Sequence, residues 1–136
     1  MIKYRFSLLV IFLFCTTLAN AQSSLIVEVT NLRNSLGQVS MELLNKNNEK
    51  VKGITELVKG NSCIFTFNNL KEGIYAIRYF HDENSNKKLD TNFLGIPKEG
   101  IGFSNDAYGK FGPKDFEELL FYLKGNTEIK LITTYY

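Results

Sequence analysis

Four oxygen-bearing side chains stand at alternating positions in one short stretch. Asp82, Asn84, Asn86 and Asp90 occupy relative positions 1, 3, 5 and 9. Alternate residues of a curled loop point inward, so this spacing can gather oxygens around a hard cation, and calcium takes roughly six to eight of them. Lys88, at position 7, offers its main-chain carbonyl. The expected calcium loop is therefore Asp82, Asn84, Asn86, Lys88 and Asp90. The pattern resembles the D-x-N-x-D-G-x-x-D loops of cell-surface β-domains and the first part of an EF-hand. It departs from them in three ways. Lys87 stands where glycine normally permits the sharp turn, Phe93 replaces the bidentate Glu at position 12, and Lys87 and Lys88 bring positive charge to the ion. Glu83, Asn92 or Glu99 would add oxygens if the chain folds back. The same residues also read as a metal-free polar loop closed by Asx-turns, because Asp and Asn bond their own backbone.

Other chemistry is thinner. His81 is the single histidine. A zinc site without cysteine clusters needs more ligands than it and its neighbouring carboxylates readily give. A serine hydrolase would pair His81 with Ser104 and Asp82 or Asp106. However, Gly102-Phe103-Ser104-Asn105-Asp106 lacks the second glycine of G-x-S-x-G. Gly100-Ile101-Gly102 lacks the third glycine of a dinucleotide loop, and no βαβ pattern contains it. Phe103, Tyr108, Phe111 and Phe116 punctuate a glycine-rich stretch. They form a candidate binding surface for sugar or protein, or else pin the loop to the end of the domain.

The elements that must position these residues read as β. Segments 25–30, 38–44, 56–58, 63–67 and 74–81 carry β-branched residues or strict alternation, with turn residues between them. Segment 45–52 reads as a polar loop and 82–111 as a long irregular region. Asp115 is expected to cap one helical turn, with Glu118 three residues on. Segments 119–124 and 127–135 read as two further strands. The expected fold is all-β: an antiparallel seven-strand β-sandwich, Ig-like or transthyretin-like, with a long glycine-rich loop region.

The first 21 residues read as an address. Lys3 and Arg5 precede an apolar run over 6–18, and Ala19-Asn20-Ala21 gives an A-x-A cleavage site. The run is shorter than the roughly 20 residues needed to span a bilayer. A lipid anchor on Cys15 is disfavoured by Phe14 immediately before it. The expected organisation is a signal peptide over 1–21 and one domain over 22–136, exported to the periplasm or beyond, with no membrane span after cleavage. Of 16 basic residues, Lys3 and Arg5 leave with the signal, so 14 face 14 acidic ones and the +2 formal charge vanishes. A neutral domain lacks the basic footprint of a nucleic-acid binder. Cys63 becomes the single thiol, within the apolar run Ser62-Cys63-Ile64-Phe65-Thr66-Phe67, and is expected to be buried and inert.

Two resemblances add to this. Phe67-Asn68-Asn69-Leu70-Lys71-Glu72-Gly73-Ile74-Tyr75-Ala76-Ile77 resembles a hairpin-like corner of transthyretin-like domains. The stretch from His81 through Asp90-Thr91-Asn92-Phe93-Leu94-Gly95-Ile96-Pro97 to Gly100 resembles the signature of the bacterial DUF2141 family. Gly102-Phe103-Ser104-Asn105 and Phe111-Gly112-Pro113 continue it. That resemblance implies a small exported β-domain and supplies no catalytic residues. The resulting expectation is a non-enzymatic module that binds a protein or glycan at the cell envelope, with calcium bracing the Asp/Asn loop. A small hydrolase using His81 with Asp82, Asp90 or Glu99, and a carrier of an apolar ligand, are the alternatives.

Overall fold

The computed structural model describes residues 22–136; the expected signal over 1–21 lies outside them. Eight strands form two packed sheets. They are β1 (Ser23–Thr30), β2 (Gln38–Asn45), β3 (Lys50–Leu57), β4 (Cys63–Leu70), β5 (Gly73–Asp82), β6 (Gly100–Phe103), β7 (Phe121–Leu123) and β8 (Thr127–Ile132). The single α-helical turn, α1, spans Phe116–Leu119. The smaller sheet runs β4-β1-β8 and the larger β3-β2-β5-β6, with β7 also pairing to β5. The all-β sandwich is as expected, with eight strands rather than seven. One ladder departs from the antiparallel expectation, because β8 runs parallel to β1 from Leu25↔Thr127 to Thr30↔Ile132. The chain reaches β8 from β7 in the opposite sheet, so no hairpin forces these neighbours to be antiparallel.

Side-chain alternation explains the core. In β1 and β4 the inward set Leu25, Val27, Val29, Phe65 and Phe67 meets Val39, Met41, Leu43 and Ile77 from the larger sheet. Phe65, Phe67 and Ile77 are fully buried between the sheets. Burial of each such side chain is worth about 1.5–3 kcal/mol. Cys63 is buried too, and desolvation, aided by Glu56, pushes its thiol up to about 11. It is therefore a packing residue rather than a nucleophile. A second cluster of Leu44, Ala76, Ile101, Phe103, Ala107 and Leu119 covers part of the larger sheet's outer face. This double coverage is why Tyr75, Ala76 and Ile77 are buried consecutively in β5.

Three local expectations are corrected. Segment 45–52 is not wholly a loop, because β3 begins at Lys50 and runs eight residues. It is an exposed edge strand, so it lacks the apolar alternation that marks a half-buried one. Within the region read as irregular, Gly100–Phe103 forms β6, buried at all four positions. A Cβ on Gly102 would stand 1.9 Å from Tyr79 Cζ, and one on Gly100 would stand 2.6 Å from Thr133 and Tyr135 side-chain atoms. These glycines permit close packing rather than loop mobility. Asp115 makes no side-chain cap; the turn closes through Glu118 N–H donating to Asp115 O at 3.0 Å.

The corner after β4 carries the chain from one sheet to the other rather than closing a hairpin. Leu70 is buried there, and the Tyr75 hydroxyl donates to Lys71 O at 2.8 Å.

Gly102→Ala is expected to destabilise the fold by about 2–3 kcal/mol through overpacking against Tyr79. Chemical denaturation of the two proteins measures this directly.

Candidate functional site

The 82–100 loop leaves the buried end of β5 and returns as β6. Asp82 is fully buried, and its carboxylate accepts Asn86 N–H at 3.0 Å, Lys87 N–H at 2.9 Å and Gln38 Nε2 at 2.9 Å. Asn84 Oδ1 accepts Asn86 N–H at 3.1 Å, and Asn86 Oδ1 accepts Lys88 N–H at 2.8 Å. These are the Asx-turns expected of such residues. The loop also gathers its oxygens: Asn84 Nδ2 donates to Asp90 Oδ2 at 2.6 Å, and Asn86 Nδ2 donates to both Asp90 oxygens at 3.0 and 3.1 Å. Asn84, Asn86 and Asp90 therefore converge, while Asp82 anchors the turn beneath them. Lys87 adopts φ +65, the left-handed conformation that glycine would take at this position, and Ser85 adopts φ +58. Among the described residues, no three His, Cys, Asp or Glu side chains group closely enough to hold a metal. The side chains that meet are Asn84, Asn86 and Asp90, while the Asp82 oxygens are taken by the Asn86 and Lys87 N–H groups and Gln38.

Glu99 has a role that the sequence reading missed. It is buried at the loop's end, and its carboxylate ties in the loop's start and middle, accepting Glu83 N–H at 2.9 Å and Asp90 N–H at 3.0 Å. The chain does fold back, but Glu99 serves the main chain. Its one sequence signal is an acid placed just before the buried Gly100-Ile101-Gly102-Phe103 run. Glu83 turns outward to the 31–37 connection, pairing with Arg33 Nη2 at 2.7 Å and accepting Asn34 Nδ2 at 2.7 Å. Burial opposes ionisation of Glu83, but the bonds from Asn34 and Arg33 outweigh it and lower its pKa. Arg33 also donates to Lys98 O and lies 4.6 Å over the Tyr135 ring.

His81 is fully buried with both ring nitrogens engaged. Nε2 lies 2.7 Å from Leu36 O, which can only accept, so Nε2 donates there, and Nδ1 is hydrogen-bonded to the Tyr135 hydroxyl at 2.9 Å. Burial raises the pKa of that hydroxyl. Neither nitrogen is free to act as a base toward a substrate. Ser104 is equally committed. Its hydroxyl donates to Leu119 O at 2.6 Å and accepts Ile77 N–H at 2.9 Å. The geometry thus assembles no triad from His81 and Ser104.

The four aromatics divide. Phe103 is buried in the outer cluster, edge-on to Tyr108 at 5.8 Å, and Tyr108 and Phe116 pack half-buried against the same cluster. Tyr108 donates its hydroxyl to Ile132 O. Only Phe111 is exposed, and it meets Tyr136 edge-on at 5.8 Å. This stretch is pinned onto the sheet, with Phe111 left to face solvent. Residues 27–130 match the family described as an uncharacterized protein conserved in bacteria (DUF2141). The chain belongs to the DUF2141 family. In this DUF2141 domain the match runs from β1 into β8, so it includes both sheets and the whole 82–100 loop. No curated protein and no solved structure matches the chain significantly. Among the described residues, no helix is long and apolar enough to cross a membrane.

The Glu83–Arg33 pair sets a pH dependence. Glu83's pKa is lowered on folding, so its contribution is present above the ordinary value of 4.5 and is lost as pH falls through the lower native value. Arg33 is about half exposed (48%), so the contribution is expected to stay below about 1 kcal/mol. Melting temperatures measured from pH 6 down to pH 3 in the native protein and in Glu83→Gln should converge at the acidic end.

Proposed function

We propose that this DUF2141 chain is an exported, non-catalytic β-sandwich module that recognises a protein or glycan at the cell envelope through its 82–116 face. In this reading calcium braces the 82–90 loop. The observation that carries it is the meeting of the Asn84 and Asn86 amides on the Asp90 carboxylate, above a turn held by Asp82. A cation would have to draw the Asn84 and Asn86 oxygens out of their Asx-turns with the Asn86 and Lys88 N–H groups, which a half-turn of each amide would do, to present them with Asp90 and the Lys88 carbonyl. The left-handed Lys87 supplies the curl that such a loop needs. Asp82 would keep its three bonds and lend its one remaining lone pair. Two carboxylates opposed by Lys87 and Lys88 suit the weak regime of extracellular calcium modules, about 10⁻⁴–10⁻³ M.

Export is supported by the charged, apolar and A-x-A succession over 1–21. The non-catalytic reading is supported by the engagement of both His81 nitrogens and the Ser104 hydroxyl.

At a calcium concentration ten times Kd, linkage adds about 1.4 kcal/mol. That is about 5 °C in the Tm of a domain this size. Thermal melting of the purified protein with calcium, with magnesium and with chelator is the test, and Asp90→Asn is expected to abolish the calcium shift. An identical Tm with calcium and with chelator would remove calcium from the account.

A further inference from the structure

The outer face of the larger sheet is covered only in part. Beside the second core cluster lies an open groove of about 550 Å³, bounded by β2, β3, β5 and the 82–90 loop. That volume falls within the roughly 300–1,000 Å³ of small-ligand sites. Three cations line it, Lys50, Arg78 and Lys87, against the single carboxylate of Glu42. Glu42 Oε1 lies 3.0 Å from Lys50 Nζ, and Oε2 lies 2.7 Å from Arg78 Nη2 and 2.8 Å from Arg78 Nε. These contacts hold the two cations in place and lower the Glu42 pKa, the Lys50 bond most. Lys87 makes no ion pair among the described residues. The groove therefore carries a local excess of two positive charges on a domain whose 14 basic and 14 acidic residues balance once Lys3 and Arg5 are set aside.

Two backbone features serve this arrangement. Gly53 lies on β3 directly opposite Glu42. A Cβ there would stand 2.8 Å from Lys50 Cε and 2.9 Å from Nζ, so its absence makes room for the ammonium against Glu42. Glycine within a strand weakens it and often marks a close approach of this kind. Lys87 occupies the left-handed position that glycine fills most cheaply, at φ +65, and it lines the groove. A non-glycine residue persists in this conformation only while its surroundings hold it there, and here Asp82 accepts the Lys87 N–H at 2.9 Å. Ser40 and Thr55, whose hydroxyls bond each other at 3.1 Å, supply polar contacts, and the half-buried Phe80 supplies an aromatic wall.

We propose that this groove is a binding site for an acidic sugar, with Lys87, Arg78 and Lys50 holding its anionic group and Ser40, Thr55 and Phe80 its ring. The proposal rests on the recognition reading above, narrows its ligand, and moves its centre to the β2, β3 and β5 face that Lys87 and Leu89 of the 82–116 region border. It accounts for a lysine where the turn favours glycine.

Calorimetric titration of the purified protein with trigalacturonate, glucose 6-phosphate and maltotriose is the test, each run in calcium and in chelator. Binding of either anionic sugar without the neutral one is expected. Preference for trigalacturonate assigns a carboxylate, and preference for glucose 6-phosphate a phosphate ester. Lys87→Gly is expected to raise Tm by about 2–6 °C, by relieving the left-handed strain. It should also weaken the anionic sugar about tenfold, the effect of one lost charge-assisted bond. Lys87→Asn, which tolerates the same backbone, should show the same weakening. The gain in Tm separates loss of binding from loss of fold. Equal affinity for maltotriose, no heat from either anionic sugar, or undiminished affinity in Lys87→Gly would overturn the proposal. Anion binding in chelator keeps the groove whatever calcium does to Tm, and a calcium shift without anion binding keeps the loop and discards the groove.

Discussion

Asp82 and Glu99 are carboxylates withdrawn from water at the two ends of one loop, and main-chain N–H groups satisfy them. Asp82 receives the amides of Asn86 and Lys87, and Glu99 those of Glu83 and Asp90. A buried charged group without partners would cost several kcal/mol, so each acid is stable only while the loop keeps its shape. The dependence is mutual. The Glu83, Lys87 and Asp90 amides would otherwise lack acceptors, and the acids provide them, while Asn86 N–H is shared between Asp82 and Asn84 Oδ1. This exchange turns a 17-residue connection between β5 and β6 into an ordered surface, and it sets Lys87 and Leu89 along the groove wall.

The surrounding structure reinforces that end of the sandwich. Gly37, at φ +66, lies so close that a Cβ would meet Asp82 O at 2.0 Å, which fixes the 31–37 connection against the loop. From that connection Leu36 receives His81, and Arg33 reaches Glu83, Lys98 and Tyr135. His81 is thus a strut between the chain's last residues and its first loop. The tip of the 82–100 loop is built differently. Asn92 Oδ1 accepts Leu94 and Ile96 N–H groups, and Phe93 above it is 95% exposed.

Much of this was legible in the residues. The Asp/Asn spacing announced a curled loop, because Asx side chains bond the backbone two to five residues on whatever the rest of the fold does. Strands β1, β2, β4 and β5 were legible from alternation or β-branched runs. β6 was not, since Gly-Ile-Gly-Phe is buried on both faces and carries no period of two. β3 was not fully legible because an exposed edge imposes no apolar pattern. The work of Glu99, Arg33 and Tyr135 depends on partners up to 102 positions away, which no local spacing encodes. Phe103, read as a binding candidate, is drawn inward because β6 places it on the covered face of the sheet.

Amide hydrogen exchange followed residue by residue by NMR tests the clamp most directly. The account predicts that Glu83, Asn86, Lys87 and Asp90 exchange as slowly as the amides of β6, while Phe93, at the solvent-facing tip, exchanges at the rate of an unstructured chain. Exchange of Glu83 and Asp90 as fast as Phe93 would contradict it.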